Sequence, residues 1–179
     1  MADFAGLLHH LKERFLEQGV RYALIGGFAL HAAGYTRATG DVDILVHHED
    51  IGKVKLVVAA MGYKVIHENE NVLNFAAPWQ LIGGLDVIAA FRRYTLDMLS
   101  CSCPGPDGIP VVSPSGIIGL KVQAMANDPQ RRTRDMADIE WLLKTHHDSL
   151  DMGLIREYFE LFGLTAELEG ALKRIQDVK

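Results

Sequence analysis

Three aspartates stand in segments that have the composition of β-strands. Asp41 and Asp43 alternate within the β-branched run DVDILV, and Asp86 lies within the apolar run LDVIAAF. Alternate side chains of a strand share a face, so Asp41 and Asp43 should project the same way, with α-carbons roughly 6.5 to 7 Å apart. Carboxylates so placed repel each other unless a cation lies between them. They can therefore bracket one or two magnesium ions, which prefer oxygen ligands.

The alternative for an isolated D-x-D pair is an edge strand whose acids simply face water. Three features of the surrounding sequence favour a metal site instead. Gly26-Gly27 precedes the pair at a strand-to-helix turn, and Arg37 and Thr39 lie between the turn and the acids. Asp86 is costly to bury within its apolar run unless a charge compensates it. An EF-hand is excluded, because the glycine that its turn requires is missing.

Gly26-Gly27 is typical of a turn at which the backbone approaches a phosphate. Glycine permits close approach, and the helix that follows presents unpaired N–H groups and a favourable dipole. A tight turn with close packing explains the two glycines equally well until the acids downstream are considered.

The hydrophobic periodicity predicts an α/β core over residues 1–112 and a C-terminal helical region over residues 113–179. We expect helices over residues 3–18, 28–33 and 49–61, and strands over residues 22–25, 41–46, 63–67, 72–76 and 81–90, the last three as an antiparallel meander. Residues 100–108, SCSCPGPDG, have the composition of a linker. Four further helices follow, starting near residues 114, 129, 151 and 165. A doubly wound dinucleotide fold is excluded, because its glycine fingerprint is missing and the middle strands follow one another without helices between them.

Length and composition restrict the functional classes. The chain has 179 residues, 49% of them hydrophobic, which is enough for a compact domain without disulfides. No stretch approaches the roughly 18 to 20 apolar residues of a membrane span, and no signal peptide is evident, so a soluble cytoplasmic protein is expected. The net charge of -5 provides no general basic field for nucleic acid. The basic clusters, which we expect to be ion-paired surface, are Arg131, Arg132 and Arg134, and Arg92 with Arg93.

The segment GGFALHAAGYTRATGDVDILV, residues 26–46, resembles the signature of the nucleotidyltransferase superfamily with the polymerase-beta-like fold, in which G-[GS] is followed by D-x-D. Its R-x-T-x-D-x-D form resembles the abortive-infection-type toxin branch and related uncharacterised bacterial nucleotidyltransferases. The resemblance implies an α/β (α+β) fold, with a mixed, mostly antiparallel sheet flanked by helices and a C-terminal helical region packed on the core. One departure is Gly27, which replaces the serine found in many members.

The resemblance also implies a reaction and the residues that perform it. A nucleoside monophosphate would pass from a nucleoside triphosphate to a hydroxyl acceptor (RNA, protein or a small molecule), with Mg²⁺ or Mn²⁺ as cofactor and an antitoxin as possible partner. The alternatives are a catalytically weak triphosphate-binding or regulatory protein, and an antibiotic-modifying nucleotidyltransferase. The implied metal-binding and catalytic residues are Asp41, Asp43 and Asp86, and the implied nucleotide-binding residues are Gly26, Gly27, Arg37, Thr39 and Lys121.

Two further acids, Asp135 and Asp138, lie on one side of a predicted helix. They could face an active site, but we expect a structural role, with Asp135 paired to Arg131 or Arg132 and Asp138 to Arg134.

Overall fold

The computed structural model describes residues 4–36, 38–78 and 83–177. Within these residues the chain forms seven strands and eight α-helices. The strands are β1 (Tyr22–Leu24), β2 (Val42–His47), β3 (Lys64–Glu68), β4 (Val72–Ala76), β5 (Leu85–Ala90), β6 (Cys103–Pro104) and β7 (Pro110–Val111). The helices are α1 (Phe4–Glu17), α2 (Gly26–Ala32), α3 (Ile51–Ala60), α4 (Arg93–Ser100), α5 (Pro114–Asn127), α6 (Arg132–Thr145), α7 (Met152–Leu161) and α8 (Thr165–Asp177).

The strands form one mixed sheet in the order β3-β4-β5-β2-β1-β7-β6. The β2–β5 and β1–β7 pairs are parallel, and the other four pairs are antiparallel. The predicted antiparallel meander is confirmed as β3-β4-β5. Strand β5 therefore returns to the centre of the sheet, next to β2.

Burial along the strands follows their place in the sheet. Ile44, Leu45 and Val46 of β2 are all buried, because helices cover this central strand on its faces. Strand β3 lies at the edge, and its five residues are exposed. The central strands are thus held rigidly by packing, which fixes any side chain that they carry.

The chain divides into two compact units, residues 1–112 and residues 113–179. In the second unit, α5 begins at Pro114, where the hydroxyl of Ser113 accepts a hydrogen bond from the Gly116 N–H. Helix α5 packs against α6 and α7, and α8 packs against the same two helices. The largest fully buried side chains of this unit are Ile118, Ile139, Leu142, Ile155 and Phe159.

The structure corrects the sequence prediction in three places. Helix α4 was not predicted, and the expected linker over residues 100–108 contains β6 and a short 3₁₀ turn, Pro106–Gly108. Helix α2 starts at Gly26 itself and not at Phe28, so the two glycines form its first turn. The last strand of the meander starts at Leu85, and residues 81 and 82 of its predicted range lie outside the described residues. Among the described helices, none combines the length and hydropathy that crossing a bilayer requires.

Candidate active site

Asp43 and Asp86 face each other across the two central strands. They are register partners in the parallel β2–β5 pair, so they lie on the same face of the sheet. Neighbouring strands are about 4.8 Å apart. Both residues are half-buried. Two carboxylates are thereby brought side by side from strands that are far apart in the sequence.

Asp41 lies at the same end of these strands but makes a different contact. It is exposed, and its Oδ1 accepts a hydrogen bond of 2.8 Å from the Gly84 N–H. Gly84 in turn accepts a 2.9 Å hydrogen bond from the Val42 N–H, which fixes the start of β2. Within the part of the chain that the structure describes, no group of three or more His, Cys, Asp or Glu residues is arranged to hold a metal ion. Of the three predicted acids, the structure brings Asp43 and Asp86 together as register partners, whereas Asp41 is hydrogen-bonded to the backbone at the same end of the strands.

The glycine turn packs directly on these acids. The Ile25 N–H donates a 3.0 Å hydrogen bond to the carbonyl of Asp43, which ties the turn to β2. Gly26 has φ +61°, and a Cβ added to it would overlap the carboxylate of Asp43. Glycine is therefore required here both by the left-handed backbone and by the close approach of Asp43.

Gly27 has its own packing reason, supplied by Thr39. A Cβ on Gly27 would lie 2.6 Å from the Thr39 Cβ and 2.7 Å from its Oγ1. The Thr39 hydroxyl donates a 3.1 Å hydrogen bond to the carbonyl of Asp41. A serine at position 27 would collide with Thr39, which explains why this chain has glycine where many members of the superfamily have serine. Thr39 also places its own hydroxyl beside Gly27.

Asn74 is a site residue that the sequence analysis missed. It lies on β4 opposite Asp86, and its side-chain nitrogen donates a 2.6 Å hydrogen bond to Asp86 Oδ1. The only signal in the sequence is an asparagine at the centre of the apolar strand VLNFA, where asparagine is disfavoured.

Lys121, in the second unit, lies in a buried cluster of charges. Its Nζ donates hydrogen bonds to Asp138 Oδ2 at 2.5 Å and to Asp135 Oδ1 at 3.0 Å. Asp135 is fully buried and also accepts from Arg131 Nε at 3.0 Å. Burial acts to raise the pKa of Asp135, but the charges and hydrogen bonds of Lys121 and Arg131 outweigh it and hold that pKa below its ordinary value.

The expected pairing of Asp135 with Arg131 is confirmed. The salt bridge seen for Asp138 is with Lys121, whereas Arg134 approaches Asp135 at 3.8 Å. Arg132 pairs with Glu167, so this basic cluster is the ion-paired surface that was expected. Arg37, the remaining predicted nucleotide contact, lies outside the described residues.

Comparison with known proteins identifies a family and a fold. The model of the family described as "Nucleotidyl transferase AbiEii toxin, Type IV TA system" matches residues 82–177, a range that contains Asp86 and Lys121 but starts after Asp41 and Asp43. No curated protein matches the chain.

Two solved structures match most of the chain. The fold is similar to that of ANT(2″)-Ia in complex with adenylyl-2″-tobramycin, with a TM-score of 0.66 and 20% identity over 88% of this chain and 95% of that one. It is also similar to the lincomycin-bound lincosamide antibiotic adenylyltransferase LnuA, with a TM-score of 0.55 and 18% identity over 80% of this chain and 98% of that one. These similarities confirm the predicted nucleotidyltransferase fold. Since the family model covers more than half of the chain, the protein belongs to the AbiEii family of nucleotidyltransferase toxins and is itself a nucleotidyltransferase.

Proposed function

We propose that this protein transfers a nucleoside monophosphate from a nucleoside triphosphate to a hydroxyl acceptor, with a divalent metal ion held by Asp43, Asp86 and Asp41. The observation that carries the proposal is the register of Asp43 and Asp86, which brings two carboxylates together beside the glycine turn. Carboxylate oxygens suit Mg²⁺ or Mn²⁺, which usually bind one or two of them together with substrate phosphates. Asp41 completes the set when its side chain turns away from the Gly84 N–H.

When bound, the metal supplies charge neutralisation of the triphosphate and lowers the pKa of a coordinated hydroxyl. The protein supplies the alignment. The acceptor hydroxyl oxygen forms a bond to the α-phosphorus, the bond from that phosphorus to the bridging oxygen breaks, and pyrophosphate leaves. Asp86 would take the proton of the attacking hydroxyl. Asp43, which packs against Gly26, would lie on the side of the triphosphate.

Binding of the phosphates requires hydrogen-bond donors and a stretch of backbone that carries no side chains. The Gly26-Gly27 turn carries no side chain, and the Thr39 hydroxyl stands beside it. Arg37 remains the proposed cationic contact to the phosphates. Lys121 is buried in the second unit, where its Nζ is paired with Asp135 and Asp138, and the role proposed for it is structural.

Membership of a toxin family favours a macromolecular acceptor, RNA or protein, and an antitoxin as partner. A second candidate is a small hydroxyl compound of the antibiotic type. It is favoured by the agreement of the fold with the two antibiotic-modifying enzymes over nearly their whole length. The net charge of -5 also favours a cationic acceptor such as an amino sugar over a polyanion.

The test is transfer of label from α-³²P nucleoside triphosphates, with Mg²⁺, to total tRNA, to cell protein and to an aminoglycoside. We expect Asp43→Asn and Asp86→Asn to abolish transfer, since both remove a metal-binding carboxylate. Asp97→Asn is the matched control, because Asp97 is an exposed acid on α4 of the same unit. Retained transfer in either site variant would refute the assigned roles. Magnesium-dependent triphosphate binding in calorimetry, without pyrophosphate release for any acceptor, would favour a regulatory protein of the same fold.

A further inference from the structure

A row of residues crosses three neighbouring strands of the sheet at the proposed site. Asn74 of β4 is the register partner of Asp86 of β5, and Asp86 is the register partner of Asp43 of β2. Register partners on adjacent strands lie on the same face. The Asn74 amide, the Asp86 carboxylate and the Asp43 carboxylate therefore lie in a row on one face of the sheet.

The amide of Asn74 makes a short, directed contact with one oxygen of Asp86. A carboxylate accepts hydrogen bonds, so the amide nitrogen and not the amide oxygen must face it. The distance from Asn74 Nδ2 to Asp86 Oδ1 is 2.6 Å, at the short limit for an N–H···O bond, and bonds to a charged acceptor are the shorter ones. This bond occupies Oδ1 on the side of β4, and among the described residues Oδ2 is left for other ligands.

The strand that carries Asn74 is itself fixed. Leu73 and Phe75, on either side of it, are 3% and 2% exposed and point to the opposite face. The backbone of β4 at Asn74 is therefore held in place, so the amide approaches Asp86 from a fixed direction.

We propose that Asn74 is a positioning residue for the transfer reaction: it orients the Asp86 carboxylate so that Oδ2 faces the metal and the acceptor hydroxyl. This inference rests on the function proposed for Asp86. Partners that orient a metal ligand in this way typically contribute about 10- to 100-fold in metal affinity or activity.

The test compares Asn74→Leu, which has nearly the same shape without a donor, and Asn74→Ala, which cannot crowd the site. The matched control is Asn71→Leu, at an exposed position of the same hairpin. Mn²⁺ binding to the purified protein is measured by electron paramagnetic resonance in the presence of α,β-methylene-ATP. In parallel, the kcat and the KM for the triphosphate are measured, and thermal unfolding shows that each variant is folded.

We expect both Asn74 variants to bind Mn²⁺ about 10- to 100-fold more weakly and to lose a similar factor in kcat, with a KM for the triphosphate close to that of the wild type. Asn71→Leu should match the wild type throughout. Either Asn74 variant with wild-type Mn²⁺ affinity and kcat, even if less stable, would show that Asn74 only fills a structural place and would overturn the inference.

The Asp86→Asn variant distinguishes the role proposed for Asp86 from the role proposed for Asn74. If Asp86→Asn abolishes transfer and weakens Mn²⁺ binding while the Asn74 variants change neither, the proposed function stands and the inference fails. If Asp86→Asn also leaves Mn²⁺ binding and transfer unchanged, the metal-binding role proposed for Asp86 fails and the inference fails with it; if the wild type transfers no label to any acceptor, the proposed function itself fails.

Discussion

The Asp43 carboxylate occupies the position at which a side chain on residue 26 would begin, so the glycine and the acid are fitted to each other. The Gly26-Gly27 turn and strand β2 therefore cannot be varied independently. Mutation of residue 26 can separate two effects, the backbone strain at this position and the crowding by Asp43.

Gly26→Ala is expected to destabilise the protein by two effects. The left-handed backbone, φ +61°, costs an alanine about 1–2 kcal/mol, and the overlap with Asp43 adds about 1–3 kcal/mol. Gly19→Ala is the matched control, because Gly19 has φ +60° and open space around its Cβ position. Urea denaturation of both variants measures the difference in unfolding free energy. Equal losses for Gly19→Ala and Gly26→Ala would show that Asp43 does not crowd the turn.

Gly27→Ser restores the residue found in many members of the superfamily but should destabilise this protein by about 1–3 kcal/mol, because the new Cβ would meet Thr39. In the background of Thr39→Gly the same substitution should be close to neutral, since the opposing side chain is gone. The double-mutant cycle is measured by denaturation, with Gly52→Ser as a control at a position with open space. Additive losses in the cycle would contradict the contact.

Lys121→Met is expected to destabilise the protein by about 3–5 kcal/mol, because it leaves Asp135 and Asp138 buried without their shared cation. Asp135→Asn combined with Asp138→Asn should recover most of this loss by removing the stranded charges. Chemical denaturation measures both effects. Lys144→Met, at the exposed end of α6, should cause little change.

Tyr22→Phe should make the stability of the protein decrease less steeply as the pH rises in the alkaline range. The Tyr22 hydroxyl is buried and has no hydrogen-bond partner among the described residues, and burial raises the pKa of Tyr22 to about 12. The unfolded chain loses this proton near pH 10, so between about pH 10 and 12 the unfolded state is increasingly favoured as the pH rises. Thermal unfolding across this range should show a shallower decline for Tyr22→Phe than for the wild type. Identical slopes would assign the alkaline loss to other groups.

The sequence was sufficient for the parts of the fold that have local signals. Alternation marked β2, β4 and β5, and the acids were found because charged residues interrupt strongly apolar runs. Helix α4 is not predicted because its eight residues make only about two turns, too short a stretch for the helical period to stand out. Strands β6 and β7 have two residues each, too few for any periodicity to appear.

The parts of the site that were missed depend on pairing between distant segments. Asn74 becomes a partner of Asp86 only through the β4–β5 register, and Thr39 explains Gly27 only through a contact across the turn. The partner of Asp138 is not predictable from local sequence for the same reason, because its salt bridge with Lys121 joins α6 to α5. Local composition restricts which residues face the core, but it does not determine which of them meet.

The pairing of β2 with β5 affects the order in which parts of the protein fold. Helix α3 and the whole β3–β4 hairpin are synthesised between these two strands. Closing such a long intervening stretch of chain is slow compared with forming helices or hairpins. The Asp43–Asp86 pair thus forms only when β2 and β5 pair, so a chain in which this part of the sheet is unfolded does not bring the two carboxylates together.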